Sequence, residues 1–191
     1  MAEPELGRVL LAIARGAIGA RLRLGVAEAP GHEALAKPAA TFVTLKQDDD
    51  LRGCIGSLQP LRPLGVDVCE NALAAAFRDP RFPPLAAVEF ERTSVEVSLL
   101  SASERLDVTS EEDLIARLRP GIDGVILECG RNRATFLPQV WDSLRQPRQF
   151  LAALKRKAGL PEGFWSERVS IARYQVTKWT ESEFLTSELP R

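Results

Sequence analysis

The 191-residue chain predicts an α+β fold, a mainly antiparallel sheet with helices packed around it. Three observations carry that prediction. "TFVTLKQDDDLRGCIGSL" is a run rich in β-branched and aromatic residues, a polar turn at Asp48–Asp50, and a second run from Leu51, which reads as a hairpin. "PGIDGVILECGRNRATFLPQV" repeats the arrangement with "GRN" as the turn. The helical patterns do not alternate one for one with strands, as they would in a parallel sheet.

The elements follow in order. Residues 5–24 are expected to be a helix, because Leu6, Val9, Leu10, Ile13, Ala17 and Leu24 recur on one face. Residues 25–38, with two prolines and two glycines and no period, are expected to be a surface crossing. After the first hairpin, Leu64–Phe77 is alanine-rich and helical, with Cys69, Ala72, Leu73 and Ala76 on one stripe. "RDPRFPP" stops it, since a residue before proline avoids the helical region. Val88–Leu100 is expected to be one long strand, with Val95, Val97 and Leu99 alternating with Ser94, Glu96 and Ser98. Thr109 with Glu112 has the pattern of a capping box. After the second hairpin, Pro138–Arg145 and Arg148–Ala158 are expected to be helical, the latter ended by Gly159. Val169–Trp179 is expected to be a last strand, and residues 181–191 a tail. Length suggests one domain over 1–191, with its main body at 39–180.

Composition narrows the function classes. A hydrophobic fraction of 45% and a net charge of -1 describe an ordinary globular protein and argue against a general polyanion binder. Cys54, Cys69 and Cys129 are odd in number and widely spaced, and no signal-peptide pattern precedes them. A reducing, cytoplasmic location is therefore expected. Arginines interrupt the apolar N-terminal stretch, so no membrane span is expected.

The most informative stretch is "LRGCIGSLQP", Leu51–Pro60. If it is extended, Arg52, Cys54 and Gly56 share one face, and same-face neighbours stand about 6.5–7 Å apart. A guanidinium beside Cys54 favours the thiolate, the reactive form. Gly53 and Gly56 would let a ligand approach, and Gly56 could turn amides toward an anion. The competing reading is structural: a buried cysteine, a glycine bulge, and Arg52 paired with a carboxylate such as Asp79. The second candidate stretch is "FRDPRFPP", Phe77–Pro84, where Asp79 lies between two arginines in a proline-stiffened loop. It is either a site wall or a helix stop with exposed pairs. Glu96 belongs to the site only if its strand face is that of Cys54. Otherwise it lies on the solvated side of a half-buried sheet.

Other signals weigh less. Asp123 between glycines suggests a turn. Gln139 could make a polar contact. His32, the only histidine, lies in the irregular crossing, so a Cys–His pair has no support from spacing. No cofactor motif, zinc spacing or P-loop is evident. From Arg131 to Lys157 seven basic residues face one acid, Asp142, which raises nucleic-acid binding. The absence of aromatic interleaving, and lysines placed in the last turn of a helix, argue against it.

Taken together, "LRGCIGSLQPLRPL", "AAAFRDPRFPPL", "VEVSLLS", "GVILECGRNRATFLPQVW" and "FLAALKRKAGLP" resemble the AMMECR domain family, called AmmeMemoRadiSam system protein A in prokaryotes. The resemblance runs from about Thr41 to Trp179. It implies a curved, largely antiparallel sheet, helices around it, and two lobes meeting at a cleft. It implies Memo-type and radical-SAM proteins as partners in a modification pathway, and brings no established reaction. The family motif falls on Arg52, Gly53, Cys54, Ile55 and Gly56, with Asp79, Arg81 and Phe82 in its second block. On this reading Cys54, Asp79 and, more weakly, Glu96 are catalytic candidates. Arg52, Gly53, Gly56 and Arg81 are candidates for holding a small anionic ligand. A non-catalytic adaptor is the alternative.

Overall fold

A computed structural model describes residues 4–25 and 29–185. In chain order its elements are α1 (Pro4–Arg21), β1 (Pro38–Gln47), β2 (Asp50–Gly56), the two-residue β3 (Arg62–Pro63), α2 (Leu64–Phe77), β4 (Ser94–Leu100), β5 (Glu104–Leu106), α3 (Glu111–Arg117), β6 (Gly124–Cys129), β7 (Asn132–Phe136), α4 (Pro147–Lys157), β8 (Ser170–Tyr174), β9 (Val176–Thr180) and α5 (Glu181–Leu185). Turns of 3-10 helix lie at Glu33–Ala36, Ala87–Glu89 and Pro138–Asp142. The fold is α+β with two antiparallel sheets, and the chain divides into two compact units.

The first unit runs to Leu100 and resumes at Thr177. Its sheet has the order β2-β1-β4-β9, with β3 alongside β1. Strand alternation sends Val43, Leu45, Val95 and Val97 to one face. There they join Leu10, Ala14 and Ile18 of α1 and Val68, Ala72 and Ala75 of α2 in one buried cluster. β1 and β2 are joined by Asp48 and Asp49, at φ 50° and 68°. Positive φ at both central residues is the mark of a type I′ turn, and aspartate tolerates it better than most residues. Beneath the sheet edge lies a buried polar cluster around Asp67, in the first turn of α2. Its carboxylate accepts from the Thr41 amide and hydroxyl, both at 2.8 Å, from Asn71 Nδ2 at 2.9 Å and from Arg62 Nη2 at 2.8 Å. These bonds satisfy a fully buried charge and tie α2 to β1 and β3.

The second unit spans Ser101–Val176, with strand order β5-β8-β6-β7. Its core is aromatic and aliphatic. Trp141 stacks on Phe150 at 3.8 Å, Phe136 meets Phe150 edge-on at 5.3 Å, and Leu114, Leu127, Leu154 and Ile171 close around them. Trp141 Nε1 donates to the Asp123 carbonyl at 2.7 Å. The Asp123 carboxylate itself is buried against Arg119. Much of the basic run is used internally. Lys155 is buried, donating to Glu111 Oε2 at 2.6 Å and the Glu162 carbonyl at 2.8 Å. Arg133 pairs with Glu128, Arg156 with Glu162, and Lys157 donates to the Thr135 carbonyl.

Several local expectations shift. The strand expected from Val88 begins at Ser94, because Ala87–Glu89 coil into a turn whose Glu89 side chain accepts from the Ala86 amide. The cap of α3 is Ser110, accepting from the Asp113 amide, one residue beyond the expected box. The expected last strand is two strands. The chain turns at Gln175, whose backbone bonds Ser101, so β8 joins the second sheet and β9 the first. α1 stops at Arg21, before Arg23 at φ 61°, and the helix expected at Pro138–Arg145 is a 3-10 turn ending at Asp142. In the expected surface crossing, His32 caps a 3-10 turn through Nδ1, and residues 26–28 lie outside the described residues. The expected tail begins as α5, and residues 186–191 lie outside the described residues. No described helix is long and apolar enough to cross a membrane.

Candidate functional site

β2 is an edge strand, and its register on β1 decides what the "LRGCIG" stretch can do. Gly56 faces Phe42, Cys54 faces Thr44 and Gly53 faces Leu45. The register then slips, so that Leu51 faces Lys46. Arg52 is the extra residue of a β-bulge. On the other side of β1, Thr44 faces Glu96 of β4. Directly opposed residues share a face, so Cys54, Thr44 and Glu96 form one row across three strands, on the face away from α1 and α2. The Thr44 hydroxyl donates to Cys54 Sγ at 3.4 Å. Glu96 is buried rather than solvated, and Lys46 Nζ at 3.3 Å and Lys178 Nζ at 3.6 Å neutralise it. Glu96 thus shares the face of Cys54, the condition its candidacy required.

The bulge overturns the simple placement of Arg52 beside Cys54. Two-residue alternation is interrupted at Arg52, and its guanidinium engages a different partner. Nε and Nη2 donate to the two carboxylate oxygens of Glu89 at 3.0 and 3.1 Å, so its partner is Glu89 and not Asp79. The Arg52 hydrogen bonds, with the Ala86 amide, hold the Glu89 carboxyl down at about 2. Arg52 Nη1 is buried and has no hydrogen-bond partner among the described residues.

Asp79 and Arg81 act on the backbone of Cys54. Asp79 is buried; its Oδ2 accepts from the Cys54 amide at 2.9 Å and Arg81 Nη2 at 2.7 Å, and its Oδ1 accepts from Arg81 Nε at 2.9 Å. Arg81 Nη2 also donates to the Cys54 carbonyl at 3.2 Å. The outward N–H and C=O of an edge strand therefore meet a side-chain acceptor and donor, much as a neighbouring strand would supply them. The Arg81 hydrogen bonds hold the Asp79 carboxyl far below the usual carboxylate range, and the same pair raises Arg81. An acid so held stays ionised, so its place here is to orient Arg81 and pin Cys54 rather than carry a proton at neutral pH. Phe82 lies against both guanidiniums, 5.9 Å from Arg52 and 5.5 Å from Arg81.

The two glycines make room for protein rather than for open approach by a ligand. A Cβ on Gly53 would fall 2.2 Å from the Ala75 carbonyl oxygen, where β2 lies directly on α2. A Cβ on Gly56 would fall 2.3 Å from the Phe42 ring. Charge balance also differs from the expected anion clamp, since Glu89 matches Arg52 and Asp79 matches Arg81. Arg81 remains half-exposed beside Cys54, whose own side chain is only partly covered. Among the described residues no group of three or more His, Cys, Asp or Glu could hold a metal ion.

Sequence reasoning missed Thr44, Glu89, Lys46 and Lys178. Thr44 was recoverable from hairpin counting back from the "DDD" turn. Glu89 was not, since it reaches Arg52 from 37 residues away through an unpatterned turn.

An α+β protein of two antiparallel sheets, with an "LRGCIG" edge strand clamped by an "RDPRFPP" loop, is the class that fold and site define. Within that class the chain belongs to the AMMECR1 family, whose model matches residues 11–179. It is 38% identical over 171 residues to a protein of Methanopyrus kandleri, covering 84% of this chain and 81% of the relative. A protein of Methanothermobacter thermautotrophicus is 38% identical over 186 residues, covering 89% of this chain and 91% of its own. The crystal structure of an uncharacterized protein from Pyrococcus horikoshii superposes with a TM-score of 0.79 at 33% identity, over 93% of this chain and 92% of that one.

Proposed function

We propose that this AMMECR1-family protein binds a small molecule at the β2–β1–β4 face around Cys54, with the thiol as the contacting and reactive group. One observation carries the reading. Nearly every other residue of the two motif blocks has structural employment: Arg52 on Glu89, Gly53 on α2, Gly56 on Phe42, Asp79 on the Cys54 amide. Among the described residues, the partly exposed Cys54 thiol is held only by the Thr44 hydroxyl. A rigid backbone, a thiol supported by a hydroxyl, and the half-free Arg81 beside it suit a ligand with an electrophilic carbon or sulfur next to a carbonyl or carboxylate. Three free cysteines fit a reducing, cytoplasmic setting. The test is alkylation of the native protein near neutral pH, read by peptide mass. Cys54 should label first and Cys69 more slowly, because burial and then Glu70 push the Cys69 thiol up. Equal rates at the two positions would remove the reactive role.

A second reading has its own support. Val88 is 90% exposed, and Leu51, Pro83 and Pro84 are exposed near the Asp79–Arg81 clamp. An adaptor using this loop to hold a Memo-type or radical-SAM partner would tolerate Cys54→Ser in cells. It would lose co-purification of the partner on Arg81→Ala, and retained co-purification would exclude it.

A further inference from the structure

Another pocket lies in the first unit, where β1 turns into β2 and β4 begins. Its volume is about 330 Å³, and its charged lining is Lys46, Asp48, Asp49, Arg92, Glu96 and Glu181. Cys54 does not line it.

Three of these charges already have partners in the protein. Glu96 is matched by Lys46 and Lys178, and Glu181 accepts from Arg15 Nη2 at 2.7 Å and from the Val95 amide at 2.8 Å. Arg92, Asp48 and Asp49 are different. None of them has a hydrogen bond or ion pair among the described residues, and no ion pair joins Arg92 to either aspartate. The pocket therefore keeps one cation and two carboxylates apart, each without a partner among the described residues. The type I′ turn holds both aspartates at the pocket wall. Charges of opposite sign that line one hollow without meeting are matched by a ligand that carries both signs itself. The surplus of one negative charge favours a ligand of net charge +1. A volume at the low end for small-molecule sites suits a ligand of about a dozen heavy atoms. The hydroxyls of Ser94 and Thr180 supply neutral polar contacts in the same lining.

We propose that this pocket binds a free basic α-amino acid, its carboxylate on Arg92 and its two cationic groups on Asp48 and Asp49. The pocket adjoins the Cys54 face, with which it shares Lys46 and Glu96, but the groups proposed to hold the ligand are Arg92, Asp48 and Asp49, and the thiol is not among its lining.

Isothermal titration of the intact protein with L-arginine tests the assignment, with agmatine, which lacks the carboxylate, as the paired probe. L-arginine should bind saturably and at least about tenfold more tightly than agmatine. Arg92→Ala should erase that difference by weakening L-arginine alone. The double variant Asp48→Asn, Asp49→Asn should weaken both probes, because asparagine keeps the positive-φ turn while removing the charges. Cys54→Ser should change neither, which separates this pocket from the thiol site. The assignment is overturned by no saturable L-arginine binding to the folded protein. Equal affinity for agmatine, the behaviour of a plain cation site, or unchanged L-arginine affinity in Arg92→Ala, would overturn it as well.

Discussion

The two units stabilise themselves by different means. The second closes around Phe150, fully buried between Trp141 and Phe136, and its buried Lys155 and Asp123 are neutralised by the partly exposed Glu111 and Arg119. The first also has an apolar face, but its edge strand β2 is fixed by polar groups: Glu89 on Arg52, and Asp79 with Arg81 on Cys54. Apolar packing is strong and non-directional, whereas hydrogen bonds to a strand edge fix position. The difference teaches that the part of the molecule carrying the thiol is built for placement, and the other part for cohesion.

That contrast can be broken most severely in the second unit. Phe150→Ala removes a fully buried ring and its stacking partner contact. It should cost about 3–5 kcal/mol in chemical denaturation. It should leave the Cys54 alkylation rate of the remaining folded protein unchanged. A large change in that rate would mean that the units do not divide labour as described.

A smaller effect is expected at the clamp. Asp79→Ala removes the acceptor of the Cys54 amide, while the half-exposed Arg81 can regain water. The cost should be about 1–3 kcal/mol. Hydrogen exchange at the Cys54 amide should accelerate well beyond that of the neighbouring strand β1. Unchanged protection at Cys54 would show that the clamp does not hold the edge.

The smallest effect is one of pH. The folded Glu89 carboxyl lies at about 2, depressed from an ordinary 4.5 by Arg52. A depressed carboxyl contributes stability that is fully present above its unfolded value and is lost as pH falls through its folded value. The stability gap between the wild type and Glu89→Gln should therefore be constant near neutrality and shrink between about pH 4.5 and 2. A gap that holds through that window would assign the stabilisation to packing of the Ala87–Glu89 turn rather than to the ion pair.

Some of this was legible along the chain. The first hairpin follows from β-branched runs flanking three aspartates, although the turn proper is Asp48–Asp49 and Asp50 already belongs to β2. The Ala-rich helix before "RDPRFPP" ends at Phe77 as its composition predicts. The candidate site was legible as a set of residues and not as a geometry. Arg52 and Cys54 share a face only if the strand keeps its period, and one extra residue at the bulge removes that condition. The glycines of "LRGCIG" stand out in the sequence, but the Ala75 carbonyl and the Phe42 ring that require them belong to elements that only folding brings near.

The sequence by itself determined the local elements: which stretches extend, which coil, and where Gly159, at φ 77°, ends α4. Those choices depend on neighbours within a few residues, and backbone preferences and hydrophobic periods record them directly. Only the tertiary structure decided that Asp79 holds the Cys54 amide from 25 residues away, that Glu89 takes Arg52, and that Glu96 shares a sheet face with the thiol. The choice of partner for a charge depends on distance through space, and it leaves no period in the chain to be read.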